Sequence, residues 1–257
     1  VSLLLAVDVG NTGTDLGVFR GEQLAARWSL STERGRTTDE YGVTLQSLFA
    51  ARGLQVSDIQ GMAVACVVPP LDSILEAVAR KYVGVEPLFV APGIKTGMPI
   101  LVDNPNEVGA DRIVNGVAAF ARFQKASIVA DFGTATTFDA VSSRGEYLGG
   151  AIAPGVKVAA QSLFEATAKL PRIDLRRPDK AIGKSTIASM QSGIVFGYLG
   201  LVREILERIR EEMGGHPAVV ATGGLTALLQ PDLSRYVDEI DPDLTLNGLR
   251  ILYERNR

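Results

Sequence analysis

The sequence has one cysteine and one histidine in 257 residues, and these two scarcities remove whole classes of chemistry. Cys66 has no second thiol to pair with, so disulfides and cysteine clusters are excluded. It sits in the apolar stretch Met62 to Val68 and reads as a small buried hydrophobe. His216, beside Pro217 and just ahead of a strand, reads as a loop residue, which leaves no Cys/His zinc site and no Ser/His/Asp triad. Charge of one sign is lacking too. Lys and Arg number 26 against 29 Asp and Glu, a net charge of −3, so no bulk positive field recruits nucleic acid or anionic membrane. The apolar opening Leu3 to Val7 is interrupted by Asp8 and has no basic front or cleavage site. It is expected to be neither signal peptide nor membrane span, and the cytoplasm is the expected compartment.

The chain does have a turn that occurs twice. Asp8-Val9-Gly10-Asn11-Thr12-Gly13-Thr14 follows the run Leu3 to Val7, and Asp131-Phe132-Gly133-Thr134-Ala135-Thr136-Thr137 follows Ile128-Val129-Ala130. The two aspartates are 123 residues apart, close to half the chain. Each copy places a carboxylate at the end of a buried strand, then glycines and hydroxyls that let backbone N–H groups approach a phosphate. The spacing predicts two similar domains, 1–122 and 123–257, facing each other across a nucleotide. No Walker loop and no Gly-x-Gly-x-x-Gly spacing occurs.

Patterning supports the repeat. Leu3 to Val9, Thr14 to Arg20 and Gln23 to Ser31 read as strands, with Gly21-Glu22 as a hairpin turn. Tyr41, Leu45, Leu48 and Phe49 recur at helical spacing in a helix from Thr38 to about Ala51. A strand from Gly61 to Val67, a helix from Leu71 to Tyr82, a short strand from Pro87 to Val90 and a helix from Gly109 to Phe123 complete the half. The intervening stretch Ala91 to Glu107 carries Pro92, Pro99 and Pro105 and is long enough to be a binding loop.

The second half restarts with strands Ser127 to Asp131, Thr136 to Ser142 and Tyr147 to Ala153. Gly155 to Ala168 and Thr186 to Met213 read as helices. In the latter Gly193, Gly197 and Gly200 permit close packing, within the chain or between subunits. A strand at Ala218 to Thr222, a short helix at Leu225 to Leu229 and a terminal helix over Asn247 to Arg255 close the chain.

Asp111 and Arg112 fall in the first turn of the helix beginning near Gly109, where the macrodipole and free N–H groups favour an anion. An aspartate there also serves simple helix stability, and position alone does not choose between the two roles.

The two Asp-x-Gly turns, with Thr222-Gly223-Gly224 after a late strand, resemble the actin, heat-shock-70 and sugar-kinase superfamily. That resemblance implies an α/β chain of two ribonuclease-H-like domains with the nucleotide cleft between them. A narrower resemblance, to the type III pantothenate kinases, is carried by Asp8 to Thr12, Asn104-Pro105 through Gly109-Ala110-Asp111-Arg112-Ile113-Val114-Asn115, and Asp131 to Thr137. Gly149 to Gly155, Ile182 to Thr186, Gln191-Ser192-Gly193 and Thr222 to Gly224 continue it.

This family resemblance implies ATP-dependent phosphorylation of pantothenate, the first step towards coenzyme A, in a cytoplasmic homodimer that needs potassium or ammonium, with magnesium accompanying ATP. By motif it gives ATP contacts to Asp8, Val9, Gly10, Asn11, Thr12, Gly13, Thr14, Asp15 and Thr134. It gives the substrate to Gly109, Ala110, Asp111, Arg112 and Thr186, catalysis to Asp111, the monovalent cation to Asp131, and the divalent metal to Asp8 directly or through water. Val102 stands where the family often has a substrate-contacting tyrosine. Two other readings stand beside the kinase: a non-catalytic relative acting as an accessory transcription factor, and another phosphotransferase or phosphatase of the superfamily. The substrate motif and the retained acids weigh against both.

Overall fold

Strand β1 (Leu3–Val9) is buried almost throughout, so both of its faces must be covered. It pairs antiparallel with β2 (Gly13–Arg20), which pairs antiparallel with β3 (Gln23–Ser31). Helix α1 (Thr38–Ala50) opens on a capping box: the Thr37 backbone N–H donates to Glu40 Oε2 at 2.7 Å, and the Glu40 N–H donates to Thr37 Oγ1 at 3.3 Å. Strand β4 (Ile59–Cys66) lies parallel to β1.

The single helix expected over Leu71 to Tyr82 is three pieces: a 3-10 turn at Pro69–Leu71, helix α2 (Asp72–Val78) and a wider π turn at Ala79–Val83. Gly84 closes the last piece with φ of 80° while its N–H reaches back to the Ala79 carbonyl at 2.7 Å, an i to i+5 bond. Strand β5 (Pro87–Phe89) completes a five-stranded sheet of order β3-β2-β1-β4-β5. Leu3, Leu5, Val7 and Val9 face Phe49, Leu71 and Leu75 on one side.

Helix α3 (Ala110–Phe123) follows a 3-10 turn at Pro105–Glu107. The second sheet then repeats the first. Strands β6 (Ser127–Phe132), β7 (Ala135–Val141) and β8 (Tyr147–Pro154) form the antiparallel meander. After helices α4 (Val156–Glu165) and α5 (Thr186–Met213), strand β9 (Ala218–Thr222) adds parallel to β6.

Helix α6 (Thr226–Leu233) runs past the expected end at Leu229 despite Pro231, because Leu229 and Leu233 are both core residues, 1% and 0% exposed. Strand β10 (Glu239–Ile240), too short to leave a pattern in the sequence, pairs parallel with β9 and gives the order β10-β9-β6-β7-β8. Ile128, Ala130 and Phe132 pack against Val195, Leu199 and Leu206 of α5.

Helix α7 (Leu244–Asn256) lies on the opposite face of the first sheet from α1 and α2, with Leu246 over Gly17 and Tyr253 over Gly61. A side chain at Gly61 has no room, since a Cβ there would lie 1.9 Å from Tyr253 Oη.

This computed structural model describes residues 3–257. The chain divides into two units: 1–97, 104–118 and 244–257 in one, 98–103 and 119–243 in the other. A single cut after residue 122 differs from this at three places, one of them residues 119–122, which fall in the second unit. The terminal helix returns to the first sheet, and residues 98–103 pair with β8 through Leu101 N–H to the Tyr147 carbonyl and Tyr147 N–H to the Pro99 carbonyl, each 2.8 Å. The open stripe of α5 gives no close intrachain packing, because a Cβ at Gly193, Gly197 or Gly200 would meet no atom within 4 Å.

Candidate functional site

In the first unit the glycine turn joins β1 to β2. The Gly10 N–H closes it on the Gly13 carbonyl at 2.9 Å. Asn11 and Thr12 stand exposed at its tip, while Thr14 is buried and shares a 2.8 Å hydrogen bond with Thr32. Two residues that sequence reasoning missed pin this turn from the segment after β3. The Thr32 N–H donates to the Thr12 carbonyl at 3.1 Å, and Arg34 Nη2 donates to Asn11 Oδ1 at 3.0 Å. No spacing or motif marks Arg34. Its guanidinium is exposed beside a turn of backbone N–H groups, the chemistry that suits a phosphate oxygen.

Asp8 faces Asp15 directly across the β1–β2 ladder. Like charges placed opposite each other are unfavourable, and Asp15 Oδ1 is buried without a hydrogen bond, 3.7 Å from Arg27 Nη2. At the end of the neighbouring strand the Cys66 thiol donates to the Val68 carbonyl at 3.3 Å. Burial, then the Asp72 and Asp8 carboxylates, push it up to about 12, so it stays protonated and unreactive.

The Gly109-Ala110-Asp111-Arg112 motif lies in the same unit, at the start of α3. Asp111 is partly buried, and its Oδ1 accepts from the Arg112 N–H at 2.9 Å. Burial holds its carboxyl above the usual aspartate range, opposed by that N–H and by the Arg112 charge. Gly109 makes the fold-back possible: a Cβ there would come within 2.5 Å of Asp111 Oδ1. The turn ahead is shaped by Asn104, which accepts from the Asn106 N–H at 3.3 Å and donates through Nδ2 to Glu107 at 2.7 Å.

The second unit holds Asp131, Thr134 and Thr186. Its turn is one residue shorter, closing from the Gly133 N–H to the Ala135 carbonyl at 3.0 Å. Asp131 is flanked in register by Thr137 on β7 and Thr222 on β9. Gly223, with φ of 94°, passes so close that a Cβ would lie 2.5 Å from Asp131 Oδ1. Gly155 donates to the Thr134 carbonyl at 3.1 Å, and a Cβ there would clash with it. Thr136, at the place of Thr14, is buried and accepts from Tyr198 Oη.

Thr186 begins α5, whose cap is Ser185: its Oγ accepts from the Ala188 N–H at 3.2 Å, which leaves the exposed Thr186 hydroxyl without the capping duty. Val102 lies over Gly149, with Cγ1 3.6 Å from where a Cβ would be. The geometry therefore brings Asp8, Asp15 and the β1–β2 turn together in one unit, and Asp131, Gly223 and the β6–β7 turn together in the other.

A model of the type III pantothenate kinase family matches residues 4–208. The chain belongs to that family. It is 53% identical over 254 residues to the type III pantothenate kinase of Moorella thermoacetica, covering 99% of this chain and all of that one. It is 51% identical over 255 residues to that of Geobacter sulfurreducens, with the same coverage.

Among solved structures the likeness is one of fold. A Campylobacter jejuni protein described as a Baf family transcriptional activator superposes with a TM-score of 0.59 at 18% identity, covering 98% of both chains. The activator of 2-hydroxyisocaproyl-CoA dehydratase from Clostridium difficile, with bound ADPNP, gives 0.55 at 14% identity, covering 98% of this chain and 95% of that one. An Arthrobacter polyphosphate/ATP-glucomannokinase gives 0.51 at 12% identity, covering 98% of each. Type III pantothenate kinases thus share with these proteins the two-domain ribonuclease-H-like fold of actin-like ATPases. The transcription-factor and sugar-kinase readings have neighbours at the level of fold alone, whereas the pantothenate kinase relatives match in sequence end to end.

Proposed function

We propose that this protein transfers the γ-phosphoryl group of ATP to the primary hydroxyl of pantothenate, giving 4'-phosphopantothenate for coenzyme A synthesis. Asp111 is the observation that carries the reading. It is a partly buried carboxylate on a helix first turn, inside the motif shared with the family, with its basicity raised by burial. In the reaction a bond forms between the pantothenate oxygen and the γ-phosphorus while the bond from that phosphorus to the bridging oxygen breaks, and ADP leaves. The hydroxyl proton passes to Asp111. By the family motif, contacts to pantothenate are assigned to Gly109 to Arg112 and to Thr186, whose side chain is exposed. The β1–β2 turn from Asp8 to Asp15 and Thr134 receive the phosphates through N–H and hydroxyl donors, and Arg34 adds a charge at the tip of the first turn.

The donor sets fit the implied cations. Asp8 and Asp15 offer facing carboxylate oxygens, which suit a hard divalent cation such as magnesium. Asp131 stands beside two threonine positions and against a glycine where any side chain would fill the space, which suits potassium or ammonium. Among the described residues no three His, Cys, Asp or Glu side chains cluster as a ready metal cage, so Asp8 is read as sharing magnesium with the triphosphate. When bound, these cations neutralise phosphate charge.

The open glycine stripe of α5 supports a homodimer, and among the described residues no helix is long and apolar enough to cross a membrane. We read the compartment as the cytoplasm. The test is a coupled assay with pantothenate, ATP and magnesium, with the product identified by mass and potassium titrated into a sodium buffer. Potassium-dependent formation of phosphopantothenate is expected. Absence of product together with absence of ATP binding defeats the reading.

A further inference from the structure

The family match ends at residue 208, yet α7 lies beyond it and touches the helix that bears Asp111. Thr245 Oγ1 donates to Asn115 Oδ1 at 2.7 Å. Asn115 is 0% exposed and sits four residues after Asp111, on the same stripe of α3. Three residues along α7, a Cβ at Gly248 would come within 2.4 Å of the Val114 carbonyl, so glycine is what lets the two helices approach.

The far end of α7 is held just as firmly. The side-chain amide of Asn256 accepts from the Lys95 N–H at 2.9 Å and donates to the Lys95 carbonyl at 3.0 Å, as a neighbouring strand would. Arg255 donates to the Thr96 carbonyl. Between these ends, Leu246 and Tyr253 fill the space above Gly17 and Gly61.

We propose that α7 is a brace for the catalytic helix and that Thr245 is a positioning residue, fixing through Asn115 where α3 holds Asp111. An apolar pair at 115 and 245 would pack the two helices without burying polar atoms, but it would tolerate sliding. A buried hydroxyl–carboxamide pair is satisfied in one register only, and a helix displaced from it leaves a buried carboxamide oxygen short of its donor. Placement matters because a general base displaced by about 1 Å costs up to about 100-fold in rate.

The inference rests on the proposed pantothenate reaction, and its test separates the two. Thr245→Val removes the donor at constant shape, Thr245→Ser restores it, and Val78→Ala in α2 supplies a core truncation away from α3. For each, kcat, KM for both substrates, melting temperature and hydrogen exchange of residues 111–115 are measured. Thr245→Val is expected to lower kcat roughly tenfold, leave KM for ATP within about twofold and speed exchange in the first turns of α3. Thr245→Ser is expected to recover kcat and slow exchange, and Val78→Ala to leave kcat, KM for ATP and that exchange unaltered. Wild-type kcat and exchange in Thr245→Val, or the same kcat loss in Val78→Ala, overturns the brace. A wild-type protein that never phosphorylates pantothenate overturns the functional reading instead, and exchange in Thr245→Val still decides whether α7 orders α3.

Discussion

The two halves share one strand order and one set of pairings, and they differ where the strands end. In the first, the aspartate of the turn faces a second aspartate, and the next strand ends in a half-buried cysteine. In the second, the aspartate faces threonines, and the next strand ends in a glycine at positive φ that leaves no space for a side chain. The buried threonine that follows each turn is the same, with a hydroxyl partner in both: Thr32 for Thr14, Tyr198 for Thr136. A duplicated scaffold thus keeps the residues that shape the turn and varies the side chains set beside its aspartate.

The comparison breaks first at Asp111, for which the second half has no counterpart motif. Asp111→Asn is expected to lower kcat by about 10²- to 10⁴-fold. Its melting temperature at pH 7 should be unchanged or higher. The reason is the sign of the shift: a carboxyl whose folded value lies above its unfolded value costs stability as pH rises through that window, and asparagine has no charge to desolvate. In the wild type the acid limb of kcat should accordingly lie above the ordinary aspartate value of about 3.9. Wild-type kcat in the variant, measured in the coupled assay, would return Asp111 to helix stability alone.

Equivalent strand ends give the next contrast. Gly223→Ala forces a side chain onto Asp131 and onto the Phe132 backbone, at a positive φ, and should destabilise by about 1–3 kcal/mol in urea melts. Cys66→Ala, at the matching end of β4, should cost less because it opens space rather than filling it. Equal losses would mean that the two ends are built alike after all.

Val102→Tyr probes the segment beside β8. Gly149 leaves room beneath residue 102, so a tyrosine ring has a surface to lie on and a hydroxyl to offer. KM for pantothenate should fall by a factor matching about 0.5–1.5 kcal/mol, with kcat little changed. A higher KM would show valine to be the fitted choice.

The smallest effect is chemical. With its thiol pushed up to about 12, Cys66 should show negligible alkylation by iodoacetamide at pH 8 in the native protein and rapid alkylation in urea. Fast native labelling would remove the protective role of Asp72, Asp8 and burial.

Much of this was legible because the signals are local. Apolar runs and glycine-bearing turns marked β1 to β3, and the helix read over Thr186 to Met213 has those bounds in the structure. The repeated turn announced the duplication, since an aspartate at a strand end followed by glycine and threonines occurs in the same order at both places. Asp111 was visible for the same reason, as an acid in a helix first turn within a recognisable motif.

Sequence alone therefore determined most of the element types, the duplicated turns and the aspartates at their strand ends. Tertiary structure decided what long-range packing sets. It folded α7 back onto the first sheet over glycines 17 and 61 and onto α3 at Gly248, brought Arg34 to Asn11 across 23 positions, and joined Thr245 to Asn115 across 130. None of these pairings leaves a periodic trace, because each depends on which faces meet once the sheets have formed.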